Sequence, residues 1–206
     1  MEFWNSDITN ESWKMPSEFS KEFKFLLIGG WAIYLYTHLH KSKDIDIIVN
    51  YDEFSLLANK YSMNKNPVLK KYEIKLQKFD ISIYLPFFSK LTLPPEDLLE
   101  RATIIENIKV PRVEELLILK IGAFLDRSKS IKGNKDLLDI AGLVFYSSID
   151  FKRFKEVLEE YALTKYLEIL VNSAINLDKR LLPYLNFNES TYSKAKKELL
   201  ENIQSI

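Results

Sequence analysis

The run Leu26-Leu-Ile-Gly-Gly-Trp-Ala-Ile33, followed by Lys43-Asp-Ile-Asp-Ile-Ile-Val49, constrains this chain more than any other part of it. A short apolar run that stops at two glycines reads as a buried strand and a turn. The segment Trp31–His40 continues as a helix packed behind the turn. Asp44–Val49 then reads as a second strand. Side chains alternate along a strand, so Asp44 and Asp46 share one face while Ile45 and Ile47 point into a core. Aspartate is depleted in strands, so two of them on one face call for a reason.

Composition closes several routes. The 206-residue chain has no cysteine and two histidines, His38 and His40. That excludes disulfides, thiolate catalysis, zinc–thiolate sites and a histidine-rich metal centre. The two histidines end the first helix and read as surface or capping residues. Lys+Arg and Asp+Glu balance at 29 each, so no global charge argues for a nucleic-acid partner, although a local basic patch stays open. The polar segment Met1–Lys21 lacks the apolar stretch of a signal peptide. The apolar runs around Leu26–Tyr36 and Leu116–Leu125 are too short or too interrupted to cross a bilayer. The expectation is a soluble, cytoplasmic protein.

The character of the chain changes near residue 111. Before it, β-rich runs alternate with helical ones: Phe25–Ile28 and Asp44–Val49 as strands, Asp52–Tyr61 as a helix with Phe54, Leu56, Leu57 and Tyr61 available for burial, Tyr72–Leu76 and Phe79–Leu85 as strands joined at Gln77-Lys78, loops at Pro86, Pro94 and Pro95, and Thr103–Val110 as a last hairpin or edge strand. After it, helical periodicity dominates: Val113–Arg127, a polar loop Ser128–Lys135, Asp136–Tyr146 with Asn134 as candidate N-cap, Phe151–Leu163 capped by Asp150, then Lys165–Ala174 and Thr191–Ile203. The predicted class is α+β: a small mixed sheet with flanking helices over residues 1–110, followed by a helical bundle over residues 111–206.

Several residues carry chemistry. Gly29 and Gly30 lack a Cβ, so their backbone N–H groups can approach a phosphate, and the helix that follows adds its N-terminal dipole; a tight strand-to-helix turn needs the same glycines. Asp44 and Asp46 repel each other unless a cation sits between them, and Mg²⁺ takes one or two carboxylates plus substrate phosphates. Asp80, on the polar face of Phe79-Asp-Ile-Ser-Ile-Tyr84 with Ser82, would bring a third carboxylate if its strand lies beside theirs, and could accept a proton; a solvent-facing strand position explains it equally. Lys120, the one charge between Glu115 and Asp126, either snorkels or meets an anion, with Arg127 near the same helical face. Asp136 and Asp139, three apart on a helix, either reach the site or pair with Arg127 or Lys135.

The glycine pair followed after one helix by Asp44-Ile-Asp46 resembles the nucleotidyltransferase superfamily of the DNA polymerase β fold. The block Leu116-Leu-Ile-Leu-Lys-Ile-Gly-Ala-Phe-Leu-Asp-Arg127, then Lys135-Asp-Leu-Leu-Asp-Ile140, is similar to the helical motif of abortive-infection and toxin–antitoxin nucleotidyltransferases. The resemblance spans residues 24–146. It implies transfer of a nucleoside monophosphate from an NTP to a hydroxyl of tRNA or a protein, with an antitoxin as a further partner. It implies that Asp44, Asp46 and Asp80 hold Mg²⁺ or Mn²⁺, that Gly29, Gly30 and Ser42 meet phosphate, and that Lys120 and Arg127 neutralise the triphosphate. It leaves the third acid open between Asp80 and the helical Asp139, with Asp136 beside it. Gly-Gly-Trp-Ala is also like the antibiotic-adenylylating branch, but Ser-Lys stands here where that branch has Arg or His before the paired acids. A small-molecule adenylyltransferase and a non-catalytic nucleotide-binding module are the alternatives.

Overall fold

The structure, a computed structural model, describes residues 6–128 and 130–204; of Ser6 and Ile131 it describes the backbone alone. Met1–Asn5 of the polar N-terminal segment and Lys129 of the expected loop lie outside the described residues. The chain divides into two compact units, the first ending at Arg112 and the second beginning at Val113.

The first unit opens with α1 (Ser6–Phe19), then β1 (Leu26–Ile28), α2 (Gly29–Thr37), β2 (Ile45–Ile48) and α3 (Tyr51–Lys60). There follow β3 (Asn64–Asn66), β4 (Lys71–Lys75), β5 (Asp80–Tyr84), α4 (Pro95–Glu100) and the hairpin of β6 (Ala102–Ile105) and β7 (Ile108–Pro111). Five strands form one mixed sheet in the order β1-β2-β5-β4-β3. The pair β2–β5 is parallel, with Asp46 level with Ser82, and the other pairs are antiparallel. Alternation sorts the two faces. Leu27, Ile45, Ile47, Ile74, Ile81 and Ile83 are buried and share one face, so their apolar area anchors the register. Apolar residues surround α2, and Trp31, Ala32 and Ile33 are buried with the sheet. The Trp31 indole donates to Ser12 Oγ at 3.2 Å, which ties α1 to α2.

Local chemistry sets the helix ends, and it departs from sequence expectation in places. Helix α2 stops at His38, which takes a left-handed conformation (φ 52°) and whose N–H returns to the Tyr34 carbonyl, two residues before the expected end. Asn50 caps α3, accepting from Glu53 N at 2.8 Å, and Asp52 stands in the first turn. In that helix Leu57 is buried while Leu56 is exposed. Pro95 does not lie in a loop but is the first residue of α4, where its missing N–H costs nothing.

The second unit holds α5 (Val113–Arg127), α6 (Ile131–Tyr146), α7 (Phe151–Glu160), α8 (Lys165–Ile175), a 3₁₀ helix (Lys179–Leu185) and α9 (Glu189–Gln204). Asp150 caps α7 as expected, accepting from Arg153 N at 3.0 Å. The cap of α6 is Ser130 rather than Asn134: its Oγ accepts from Gly133 N at 3.1 Å. The expected eight-residue loop is therefore a tight turn that runs straight into helix. Gly133 makes this turn close, since a Cβ there would sit 2.4 Å from the Arg127 carbonyl oxygen. Among the described residues, no helix is long and apolar enough to cross a membrane.

Candidate active site

The paired acids stand where a turn, a helix start and two strands meet. Asp44 immediately precedes β2, and its Oδ1 accepts from the Asp80 backbone N–H at 3.2 Å. Asp46 lies within β2, half-buried. Its carboxylate packs on Gly29, where φ is +68° and a Cβ would meet Asp46 Oδ2 at 2.4 Å. Gly29 is thus required twice, by its left-handed backbone and by the acid against it. The residue at the N-cap of α2 is Ile28, which offers no side-chain acceptor to the first-turn N–H groups. A helix start whose N-cap residue brings no acceptor, beside a bare glycine, suits an anion. Gly30 is buried in that first turn. Ser42 is buried as well, and its Oγ donates to the Asp44 carbonyl at 3.3 Å; it fixes the approach to β2.

The adjacency expected for Asp80 is present, because β5 pairs directly with β2. Its carboxylate is ion-paired with Lys75 at 2.6 Å. Among the described residues, no three Asp, Glu or His side chains stand close enough together to hold a metal ion on their own. A site built from two carboxylates and substrate oxygens needs no such trio.

Sequence reading missed the rest of this face. The ladder of β4 against β5 sets Glu73 opposite Ser82 and Lys75 opposite Asp80. Lys71 Nζ donates to Ser82 Oγ at 2.8 Å and pairs with Glu73 at 2.9 Å. The Lys71 hydrogen bond outweighs the effect of burial and, with Lys75 helping, holds the Glu73 carboxyl below its usual range. Tyr84 Oη donates to Asp46 Oδ1 at 3.4 Å, a long contact. The alternating polar residues of Lys71-Tyr-Glu-Ile-Lys75 were the available signal. By alternation, Asp44, Asp46, Glu73 and Asp80 share this face with the ammonium groups of Lys71 and Lys75. The surplus of carboxylates suits a divalent cation.

The other predicted residues form a cluster inside the second unit. Lys120 is buried and meets Asp136 at 3.0 Å and Asp139 at 2.8 Å. The Asp139 contact is an ion pair whose angle falls short of a well-formed hydrogen bond. Arg127 grips Asp136 through Nε at 2.6 Å and through a second nitrogen at 2.9 Å. Lys120 thus meets anions, and these anions are side chains. Burial alone would raise the Asp136 carboxyl; the Arg127 hydrogen bonds and the Lys120 charge overcome it and hold the group below its usual value. Burial alone would lower Lys120; the charges of Asp139 and Asp136 overcome it and raise the group above its usual value. A second cluster joins α5 to α7: Glu114 and Glu115 are buried, Arg153 pairs with Glu115, and Glu114 accepts from Asp150 N at 2.9 Å.

The first cluster predicts the pH dependence of the second unit's stability. Asp136 is depressed on folding, so its contribution is present above its ordinary value of 3.8 and is lost as pH falls through the folded value. Lys120 is raised, so its contribution is present below 10.5 and fades as pH rises through the folded value. Thermal melts followed by circular dichroism should therefore show a neutral plateau with an acid and an alkaline shoulder. In Asp136→Asn both shoulders should shrink.

No family model matches the chain, and no curated protein matches it. Among solved structures, a Helicobacter pylori protein provisionally named a nucleotidyltransferase is similar at a TM-score of 0.50 and 15% identity, over 98% of this chain and 97% of that one. JHP933 from Helicobacter pylori is similar at a TM-score of 0.45 and 15% identity, over the same shares. The chain therefore has an α+β fold of the nucleotidyltransferase-like kind.

Proposed function

We propose that this chain is a Mg²⁺-dependent nucleotidyltransferase that moves a nucleoside monophosphate from an NTP to a hydroxyl of tRNA or a protein. The observation that carries the reading is the Asp46 carboxylate seated on Gly29 at the start of α2, with Asp44 one alternation away. Asp44 and Asp46 would hold the metal, which when bound supplies Lewis-acid charge for the phosphates. The Gly29–Gly30 turn and the start of α2 would receive the triphosphate through backbone N–H groups. The acceptor oxygen bonds to the α-phosphorus, the bond from that phosphorus to the bridging oxygen breaks, and pyrophosphate leaves. Asp80, level with Asp44, is the better candidate to take the hydroxyl proton, once its ion pair with Lys75 opens. Asp139 is held by Lys120 in the helical unit, so we assign it a structural role. The residues behind the toxin-type resemblance, Lys120 to Asp139, form that ion cluster, and the toxin reading with its antitoxin partner rests on their sequence pattern.

The test is incubation with each α-³²P-labelled NTP and Mg²⁺ against total RNA, protein extract and a panel of hydroxylated small molecules. Label on RNA or protein supports the proposal. Label on a drug would establish the small-molecule adenylyltransferase instead. Mg²⁺-dependent NTP binding with no transfer to any acceptor would make the chain a binding module. A structural variant tests the turn itself. Gly29→Ala should displace the Asp46 carboxylate and add about 1–2 kcal/mol of left-handed backbone strain. Transfer should fall further than the melting temperature does.

A further inference from the structure

We propose that the turns after β3 and β5 form a docking surface for single-stranded RNA, the acceptor in the reaction above; the inference names the acceptor and so rests on that reading. Two turns meet at the end of the sheet where β5 finishes and β4 begins. The first, Pro67–Lys70, projects Val68 (86% exposed) and Leu69 (56%), and Lys70 takes a positive φ of 51°. The second, Pro86–Lys90, projects Phe87 (85% exposed) with φ 59°, its N–H held by Glu96 at 3.1 Å. Phe88 joins them. Its ring lies tilted by 41° against Tyr72, centroids 5.6 Å apart, with Lys65 Nζ at 5.1 Å and Lys70 Nζ at 5.8 Å from its centroid.

Charge selects the occupant. Among the described residues, neither Lys65, Lys70 nor Lys90 has a carboxylate within ion-pair reach, whereas Lys71 and Lys75 on the same sheet are paired. Protein interfaces are depleted in lysine at their centre. Unpaired lysines around aromatic faces are what a single strand uses, its phosphates on the ammonium groups and its bases on the rings. The apolar tips stand on separate turns, suited to separate bases. The place fits too. Ser82 is level with Asp46, and Phe87 follows five residues later, at most about 17 Å of extended chain. Lys71 stands at that same end on the carboxylate face, one residue after Lys70.

The experiment is fluorescence anisotropy of a dye-labelled single-stranded RNA on the full chain, with no NTP. Phe87→Ala should weaken binding about 5–150-fold. Lys65→Ala with Lys70→Ala should flatten the dependence of log affinity on log salt by about 1.4. Both variants should keep the wild-type melting temperature, since the changed side chains lie at the surface. Asp46→Asn should bind RNA as the wild type does, which separates this proposal from the reaction: loop variants that lose RNA support the surface even if no transfer is ever detected. Wild-type protein that ignores RNA, or variants that bind it unchanged, would overturn the proposal. Phe87→Ala that dissolves a self-association while RNA binding is absent would make the surface a protein interface.

Discussion

Replacing Lys120 by methionine is expected to destabilise the helical unit by about 3–5 kcal/mol, because it leaves buried Asp139 without its ammonium and Asp136 with the Arg127 guanidinium. Methionine keeps much of the lysine volume, so packing should contribute little. Asp136 and Asp139 are 1% and 3% exposed, so water cannot take over from the lost ammonium without opening α5 from α6. The three tryptophans, Trp4, Trp13 and Trp31, all precede residue 112. Tryptophan fluorescence therefore follows the sheet unit, while far-ultraviolet circular dichroism is weighted towards the helices. In a urea titration the second signal should lose its midpoint and the first should hold. A variant that melts like the wild type but raises KM for NTP would instead mean that the ammonium serves the triphosphate and leaves its carboxylates to do so.

Asp46→Asn is expected to lower transfer by about three orders of magnitude or more, since a metal's charge stabilisation is worth several kcal/mol. The amide keeps the shape that packs on Gly29 and can still accept from Tyr84, so the fold stays intact. Removing one of two neighbouring negative charges should, if anything, raise the melting temperature slightly. The pairing of lost turnover with undiminished stability is what identifies a ligand for a cation. Turnover that survives the change, at any Mg²⁺ concentration, would remove Asp46 from the reaction.

Alternation made the faces of β2 and β5 readable, and the glycine pair made the turn readable. The neighbourhood of these strands was readable only as a condition, because a parallel pair is brought together by everything that intervenes. The Lys71, Glu73 and Ser82 network escaped for the same reason: each residue is ordinary alone, and the ladder register that joins them is tertiary. Gly133 suggested a loop, whereas it serves the close approach of a turn to a carbonyl, so the cap was placed four residues late. Lys120 stood out in its apolar helix, but the choice between a ligand and a side chain as its anion depends on how α5 packs on α6. Three elements were hidden by local features: α1 contains Pro16, β3 is three polar residues long, and the 3₁₀ helix contains Pro183.

The Asp44–Asp80 contact joins residues 36 apart in sequence, and it has a consequence for synthesis. A ribosome delivers β1, α2 and β2 well before β5. Until β5 arrives, the nascent chain carries a two-stranded antiparallel ribbon whose outer edge is the apolar Ile45-Asp-Ile-Ile48. Closing the parallel pair must wait for the whole crossover, a non-local step that slows folding. The same strand that completes the acidic face is thus the one that seals an aggregation-prone edge, so a chain interrupted before residue 80 would leave that edge open.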